Sequence, residues 1–255
     1  MSEEMKDRIV HYWTARAAGY SALNREELGW ETCEKWLLAM ESVFPDRPKK
    51  EMRILDVGTG PGFMAILLTK AGYFPDACDC TAEMLKEARR NAGEYEDRIK
   101  LHLMNADALG FADGTFDAIV SRNLTWNLPN PCICYAEWLR VLKPGGRVVI
   151  FDANWYRYLF DEEARLGYDR DRDEVAKKAI TDFNIGPNFN VMEDIARLLP
   201  MSKKHRPFWD RDKMLEVGYG RVDICEDIWT DVWTAEEKTN YASTPMFRIT
   251  GMKGI

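Results

Sequence analysis

A run of apolar residues that opens into three alternating glycines constrains the fold of this chain more than any other segment. Residues 53–63 read RILDVGTGPGF, and a helical pattern follows over residues 63–71. The apolar run predicts a strand. Glycine is used where the backbone must adopt a positive φ or approach a ligand without a Cβ in the way. Gly58, Gly60 and Gly62 therefore predict a turn of bare backbone at the sheet edge where open α/β folds bind nucleotides.

An acid just before the glycines indicates which kind of ligand this turn would accept. Asp56 lies two residues before Gly58, at the end of a predicted buried strand, where a carboxylate is costly unless it is paired. This position suits a cationic ligand such as an ammonium or a sulfonium, and it would repel a pyrophosphate. The glycines also depart from the G-x-G-x-x-G dinucleotide fingerprint. Taken alone, the segment leaves open a purely structural turn between a strand and a helix.

Two further acids follow the next two predicted strands. Asp79 ends the second strand, 23 residues after Asp56, which is close to the roughly 20-residue spacing of an acid that binds ribose hydroxyls. Asp107 follows a third strand predicted over residues 99–105, where a carboxylate can accept the exocyclic amine of adenine. A single acid after a strand is often a helix cap. Three acids at one edge of a sheet indicate a ligand site.

These motifs together resemble those of the class I S-adenosylmethionine-dependent methyltransferases. The four matching segments are residues 54–63, 79–85, 105–108 and 141–146. The resemblance covers about residues 50–152 plus the closing strands, and it is greatest to small-molecule enzymes of the ubiquinone/menaquinone type. The nucleic-acid amino-methylating enzymes carry Asn/Asp-Pro-Pro-Tyr/Phe after strand four, whereas this chain has Arg-Asn-Leu-Thr at residues 122–125.

The resemblance implies an α/β fold, with a doubly wound, Rossmann-like sheet of seven strands whose last strand is antiparallel. We expect a helical leader over residues 1–45, with a break near 17–21, and a core over residues 46–154 and 211–255. A helical cap insertion is expected over residues 155–210. Because this insertion follows strand five at the ligand edge, it is placed to act as a lid and substrate cap.

The resemblance also implies that the cofactor is S-adenosyl-L-methionine and that S-adenosyl-L-homocysteine is the product. The leader would close over the bound cofactor. The residues expected to bind it are Tyr20, Asp56, Gly58, Thr59, Gly60, Asp79, Cys80, Met84, Asp107, Ala108 and Asn123.

The expected reaction is an in-line displacement at a sulfonium methyl group. The leaving thioether is already good, so the enzyme mainly aligns the reactants and excludes water. A general base is needed only if the acceptor arrives protonated. The catalytic candidates are Asp152, His205 and Tyr156, and the candidate substrate contacts are Trp126, Trp155 and Tyr241. The sequence does not identify the acceptor or whether O, N, S or C is methylated.

Charge and composition restrict the partners. The chain has 255 residues and a net charge of −7, which is poorly suited to binding a phosphate backbone, so we expect a small-molecule substrate and no nucleic acid. The one basic cluster, residues 203–206, is either a solvated turn or the rim of a site for an anionic substrate. Two rival functions remain open, an NAD(P)-dependent oxidoreductase and a protein that binds S-adenosylmethionine without transferring methyl.

The cysteines and the N-terminal segment indicate the redox state and the location to expect. The six cysteines include two C-x-C pairs, which lack the C-x₂-C spacing of zinc sites, so we expect reduced thiols and no metal. No apolar run is long enough to span a bilayer. The acidic N-terminal segment resembles no signal peptide. We therefore expect a cytoplasmic monomer or homodimer with no membrane contact.

Overall fold

The strands of the chain form one mixed sheet. A computed structural model describes residues 3–29, 31–185 and 189–255. The strands are β1 (Ile54–Val57), β2 (Asp76–Asp79), β3 (Lys100–Leu103), β4 (Phe116–Arg122), β5 (Leu142–Asp152), β6 (Tyr219–Cys225) and β7 (Phe247–Lys253). Their order in the sheet is β3-β2-β1-β4-β5-β7-β6. The first five strands are parallel, and β7 is antiparallel to β5 and β6. The predicted doubly wound seven-stranded fold is confirmed.

Helices cover both faces of this sheet and its ligand edge. The α-helices are α1 (Glu3–Glu27), α2 (Cys33–Glu41), α3 (Phe63–Lys70), α4 (Ala82–Ala92), α5 (Pro131–Val141), α6 (Glu162–Lys178), α7 (Phe189–Ala196), α8 (Phe208–Val217), α9 (Trp229–Val232) and α10 (Ala235–Asn240). Short 3₁₀ segments occur at Gly93–Arg98, Thr125–Asn127, Arg157–Leu159 and Met201–Lys203. None of the helices in the described ranges is both long and apolar enough to cross a bilayer.

The central strands are apolar on both faces because helices cover both sides. Ile54 and Leu55 of β1 are fully buried, and they face two different core clusters. Trp138 of α5 is also fully buried, in the same cluster as Leu55. Such continuous apolar strands are typical of parallel sheets. The carboxyl ends of β1, β2, β4 and β5 are thereby held at one edge of a rigid core.

The first helix of the leader, α1, continues without interruption from Glu3 to Glu27, so the predicted break at residues 17–21 is wrong. Ala17 and Ser21 are buried, and Ser21 exchanges hydrogen bonds with Asn91 of α4. Asn91 Nδ2 also donates to the carbonyl oxygen of Pro61, 3.0 Å away, in the glycine turn. A glycine within a helix costs only about 1 kcal/mol, so these contacts are enough to keep Gly19 helical. They also attach α1 to the turn that it covers.

The end expected for the cap insertion lies within a helix of the structure. The boundary between residues 210 and 211 falls inside α8, which begins at Phe208 and packs on β6. The helix α6 packs instead against α10 near the end of the chain. Asp171 of α6 accepts hydrogen bonds from the amide and the hydroxyl of Ser243, at 2.9 and 2.6 Å. The helical cover is therefore built from two separate stretches of the chain.

Candidate cofactor and acceptor cavities

The glycine turn after β1 requires glycine for two physical reasons. Gly58, Gly60 and Gly62 have φ values of 69°, 51° and 95°, which side chains with a Cβ rarely adopt. A Cβ on Gly58 would also lie 2.7 Å from Leu124 Cδ2, which is too close for two carbon atoms. A Cβ on Gly60 would meet only Tyr20, at 3.6 Å. The turn therefore needs glycine at residue 58 for packing, whereas residue 60 offers bare backbone toward Tyr20.

Asp56 is a buried carboxylate at the start of this turn. It is 1% exposed, and its Oδ2 accepts hydrogen bonds from Thr59 Oγ1 at 2.6 Å and from the Ala65 amide at 3.1 Å. Burial raises the pKa of Asp56 to about 7, against an ordinary value of 3.8. The charged form is therefore costly until a cation approaches it. This environment favours a ligand that carries a positive charge.

Asp79, at the end of β2, connects the glycine turn to the next helix. Its Oδ2 accepts the amide of Gly60 at 3.0 Å, and its Oδ1 accepts the amide of Thr81 at 2.9 Å. Burial raises the pKa of Asp79. Each carboxylate oxygen can accept more than one hydrogen bond, so both remain able to bind the hydroxyls of a vicinal diol.

Asp107 has a partner on the leader that the sequence did not reveal. Lys6 Nζ of α1 lies 2.7 Å from Asp107 Oδ2. The hydrogen bond with Asp107 raises the pKa of Lys6. Because the two residues are a hundred positions apart, no local pattern links them. The pair attaches the start of α1 to the edge of the sheet beyond β3.

The predicted cofactor residues surround one cavity, with a single exception. The cavity occupies about 1110 Å³, including its mouth, and all the predicted residues line it except Ala108. The part of the lining before Ala108 is formed by Asn105, Ala106 and Asp107. The amide of Ala108 donates to the carbonyl oxygen of Asn105 at 3.1 Å, which closes a tight turn and leaves Ala108 outside the lining. The prediction for Ala108 is therefore wrong. We refer to this space as the cofactor cavity.

Buried hydrogen-bond acceptors in the lining of the cofactor cavity fit the donor groups of S-adenosylmethionine. Asp56 and Asp79 contribute carboxylates. Asn127 is 5% exposed, and its Oδ1 has no hydrogen-bond partner within the described part of the chain. An ammonium group, ribose hydroxyls and an adenine amine are all donors that such acceptors can bind. The remaining wall is largely apolar, as expected for a cofactor pocket. A pyrophosphate would face the two carboxylates.

A second cavity adjoins the first and contains the predicted substrate residues. It occupies about 1800 Å³, including its mouth. Trp126, Trp155 and Tyr241 line it, as does the catalytic candidate Tyr156. Both cavities are lined by Trp13, Tyr20, Asn24, Arg122 and Asn123. We refer to the second space as the acceptor cavity. It meets the cofactor cavity where β4 ends beneath α1.

The junction of the two cavities is held by residues of α1 and of the loop after β4. Arg122 binds Glu27 of α1 through two hydrogen bonds of 3.0 and 2.7 Å. The next residue, Asn123, has a φ of 55°, an uncommon conformation that asparagine tolerates better than most residues. Tyr20 forms hydrogen bonds with Asn24 and Asn123, and burial raises its pKa. The sequence analysis identified Tyr20 and Asn123 but missed Arg122, although Arg122 directly follows a predicted strand.

Asp152, predicted as a catalytic residue, lines neither cavity. It is fully buried at the end of β5. Its oxygens accept the Trp126 amide at 2.8 Å and the Trp155 indole N–H at 3.0 Å, and they also bind Thr125 and Arg206. All these contacts are structural. Asp152 therefore positions two tryptophans of the acceptor cavity.

His205 is also misplaced by the prediction. Its side chain is exposed, stacks on Phe208 with ring centroids 5.4 Å apart, and lines neither cavity. Its neighbour Arg206 is the buried residue of the basic cluster and pairs with Asp152 and Asp210. The cluster therefore combines a solvated turn with one buried structural cation. Within the described residues, no three His, Cys, Asp or Glu side chains come together as a metal site would require.

The strand order, the glycine turn and the acidic sheet edge define the class I methyltransferase fold. Residues 55–150 match the family model described as a methyltransferase domain. The matched stretch contains the glycine turn, Asp79 and Asp107. A solved putative S-adenosylmethionine-dependent methyltransferase from Methanococcus maripaludis has the same fold. Its TM-score is 0.60 at 19% identity, over 95% of this chain and 94% of that one.

Curated relatives match over a shorter stretch. A demethylmenaquinone methyltransferase of Symbiobacterium thermophilum is 33% identical over 158 residues, covering 60% of this chain and 61% of the relative. A ubiquinone/menaquinone biosynthesis C-methyltransferase of Rhodopseudomonas palustris is 34% identical over 113 residues, covering 42% of this chain and 45% of the relative. The chain thus spans about half to three fifths of the length of these relatives.

Proposed function

We propose that the chain transfers a methyl group from S-adenosylmethionine to a small-molecule acceptor. The observation that supports this most strongly is the junction of two cavities, one lined by the cofactor motifs and one by aromatic side chains, at Tyr20 and Asn123. A protein that only sensed the cofactor would need the first cavity alone. A transferase needs a second compartment that opens onto the methyl group.

The residues of the cofactor cavity would hold and orient the cofactor. S-adenosylmethionine supplies an electrophilic methyl group on a sulfonium, with a good leaving group. Asp79 would bind the ribose hydroxyls, and Asp107 would lie near the adenine. Asp56, with its raised pKa, would gain stability beside a positively charged ligand. These contacts fix the position of the cofactor, and alignment of this kind can contribute roughly 7–11 kcal/mol to catalysis.

The acceptor cavity would align the nucleophile and keep water out. Asp152 accepts the Trp155 indole N–H and the Trp126 backbone amide, and the Trp126 indole N–H donates to the carbonyl oxygen of Asn123. Both rings are therefore fixed before any acceptor arrives. Burial raises the pKa of Tyr156, so its phenol stays protonated at neutral pH. Tyr156 is therefore suited to donate a hydrogen bond to the acceptor, and it is unsuited to act as a general base.

The charges of the cofactor cavity also argue against a nicotinamide cofactor. A dinucleotide would place its pyrophosphate on the glycine turn, directly beside the buried carboxylates of Asp56 and Asp79. Like charges at such short range are unfavourable. The net charge of −7 likewise disfavours a nucleic-acid acceptor, and we propose that none is methylated.

Calorimetry on the full chain tests the proposal. S-adenosylhomocysteine should bind, and NAD should not. Asp79→Asn should weaken binding of S-adenosylhomocysteine by about 1–3 kcal/mol, because hydrogen bonds to a charged group are lost. The matched control is Asp97→Asn, which changes an exposed acid that lines neither cavity and should leave affinity unchanged. Tight binding of NAD, with none of S-adenosylhomocysteine, would refute the proposal.

A further inference from the structure

Most charges on the side chains that line the acceptor cavity are paired or balanced by an opposite charge. One buried acid is the exception. Those that line it are Arg16, Glu26, Glu27, Arg122, Asp182 and Glu237. Glu27 pairs with Arg122, and Asp182 pairs with Arg172. Arg16 and Glu26 have opposite charges, and Glu26 is exposed. Glu237 remains, and within the described residues it has no ion-pair partner.

Glu237 is buried and presents one oxygen that the fold does not use. It is 6% exposed and belongs to the capping box at the start of α10. Its Oε2 accepts both the amide and the hydroxyl of Thr234, at 2.8 and 2.9 Å. Among the described residues, none donates a hydrogen bond to Oε1. Burial raises the pKa of Glu237, and the charge of Arg122, which already pairs with Glu27, lowers that pKa only in part.

Aromatic rings line the same cavity as this carboxylate. The rings of Trp155, Trp233 and Tyr241 lie with centroids 5.1 to 6.5 Å apart. Trp126 and Tyr156 form a second group in the lining, with centroids 5.0 Å apart. The face of an aromatic ring attracts cations, and rings combined with a carboxylate are the usual means of recognising an organic ammonium. A neutral planar acceptor could stack on these rings, but it would leave the charge of Glu237 unpaired.

We propose that the methyl acceptor is a small organic cation whose ammonium group is bound by Glu237 and the rings that line this cavity. The ammonium has no lone pair, so a separate nucleophilic atom of the same molecule forms the bond to the methyl group as the S–CH3 bond of the sulfonium breaks. S-adenosylhomocysteine leaves, and any proton on the attacking atom passes to water. This inference rests on the proposed function, because it assigns the chemical class of the molecule that enters the acceptor cavity. Among the described residues, Arg16 is the one cation of the lining without an ion-pair partner, and it is partly exposed. In the buried part of the cavity, the charge without an ion-pair partner is therefore the carboxylate of Glu237.

The test uses a cation and its neutral isostere as probes. Choline and 3,3-dimethyl-1-butanol have nearly the same shape, but only choline is charged. With the full chain saturated with S-adenosylhomocysteine, calorimetry should show saturable choline binding, at least about tenfold tighter than that of the neutral alcohol. Equal affinity for the two probes, or no saturable choline binding, would overturn the inference.

A matched pair of variants assigns the effect to Glu237. Glu237→Gln removes the charge but keeps a residue that can complete the capping box, so the fold should be retained. It should weaken choline binding at least about tenfold and leave the affinity for S-adenosylhomocysteine unchanged. The control is Glu236→Gln, on the adjacent exposed residue of α10, which does not line the cavity. Undiminished choline binding by Glu237→Gln would refute the inference.

The two proposals fail in different ways. If S-adenosylhomocysteine does not bind the wild-type chain, the proposed function is wrong whatever choline does. If S-adenosylhomocysteine binds but choline discrimination is absent, the transferase proposal stands and the cationic acceptor does not. Thermal unfolding of each variant, with and without S-adenosylhomocysteine, separates a lost contact from a lost fold.

Discussion

Arg206 and Asp152 form an ion pair in which both side chains are almost completely buried. The distance from Arg206 Nη1 to Asp152 Oδ2 is 3.1 Å, and the side chains are 1% and 0% exposed. Arg206 Nε also lies 2.9 Å from Asp210 Oδ2 of α8. One guanidinium thus neutralises two buried carboxylates. Since Asp152 holds Trp126 and Trp155, the aromatic wall of the acceptor cavity depends on this pair.

Removing the guanidinium should unfold the chain more easily. Arg206→Met leaves two carboxylates buried without a cation, so we expect a loss of about 3–5 kcal/mol in the free energy of unfolding. Denaturant titration measures it. Arg211→Met is the control, because Arg211 forms an exposed pair with Asp212. It should change stability by no more than about 0.5 kcal/mol. Similar stabilities for both variants would show that the buried pair is not structural.

Most residues that the sequence predicts for the cofactor line one cavity, because the sequence patterns that identify them are local. Asp56 and the glycines belong to one short turn, and Asp79 follows at a spacing set by one strand-helix-strand unit. The resemblance placed Tyr20 and Asn123 near the same ligand, and both line the cavity. Ala108 was misplaced because a tight turn at Asn105 changes which residues face inward, and residue spacing alone does not reveal such a turn.

The acceptor cavity was harder to predict because it depends on contacts between distant residues. Asp152 follows β5 at the expected edge, and only its pairing with Arg206, 54 residues later, shows that it is structural. Glu237 gave no signal of its own beyond a capping-box pattern. The aromatic residues were identified from their positions after strands four and five, which the fold does bring to this edge.

Substitutions of two glycines should separate an effect on stability from an effect on cofactor affinity. Gly60→Ala places a methyl group in the cofactor cavity and strains a φ of 51°, so we expect both weaker S-adenosylhomocysteine binding and a stability loss of about 1–2 kcal/mol. Gly72→Ala has similar strain, with a φ of 96°, but open space around its Cβ. It should lose similar stability and keep full affinity, as judged by calorimetry. Equal affinities in both variants would show that residue 60 does not approach the ligand.

Gly58→Ala should behave differently from Gly60→Ala. Its Cβ would collide with Leu124, so the loop after β4 would have to move. We therefore expect a larger loss of stability than for residue 60, measured by the same denaturant titration. A stability equal to that of Gly60→Ala would show that Leu124 moves aside without cost.

The affinity for S-adenosylhomocysteine should depend on the ionisation of Asp56. Its pKa is raised to about 7 in the free protein, so the carboxylate becomes charged as the pH rises through 7. Binding of the ligand's ammonium should therefore strengthen from about pH 6 to pH 8. No histidine lines the cofactor cavity, so imidazole titration offers no competing cause there. Calorimetry on Asp56→Asn should show an affinity that varies less with pH. If the affinity of this variant varies with pH as that of the wild type does, Asp56 is not the group that causes the pH dependence.

The carboxyl group of Asp56 should also make the stability of the free protein depend on pH. Ligand affinity should rise with pH, whereas the free energy of unfolding of the free protein should fall. Between about pH 4 and pH 7, Asp56 is ionised in the unfolded chain but still protonated in the folded one. The folded state then binds more protons, so its stability falls as the pH rises through this window. The difference in unfolding free energy between wild type and Asp56→Asn, measured against pH, isolates this contribution. A difference that does not vary with pH would mean that the folded pKa is ordinary.

The leader should contribute to cofactor binding mainly through Tyr20. This residue lines both cavities and lies next to Gly60, whereas Tyr12 of the same helix lines only the acceptor cavity. Tyr20→Ala removes part of the wall over the cofactor, so S-adenosylhomocysteine should bind about 1.5–3 kcal/mol more weakly. Tyr20→Phe keeps the ring and should retain most of the affinity. Tyr12→Ala is the control on the same helix and should bind S-adenosylhomocysteine as the wild type does. If Tyr12→Ala weakens binding as much as Tyr20→Ala, the effect comes from loosening α1 as a whole and not from a contact at the cavity junction.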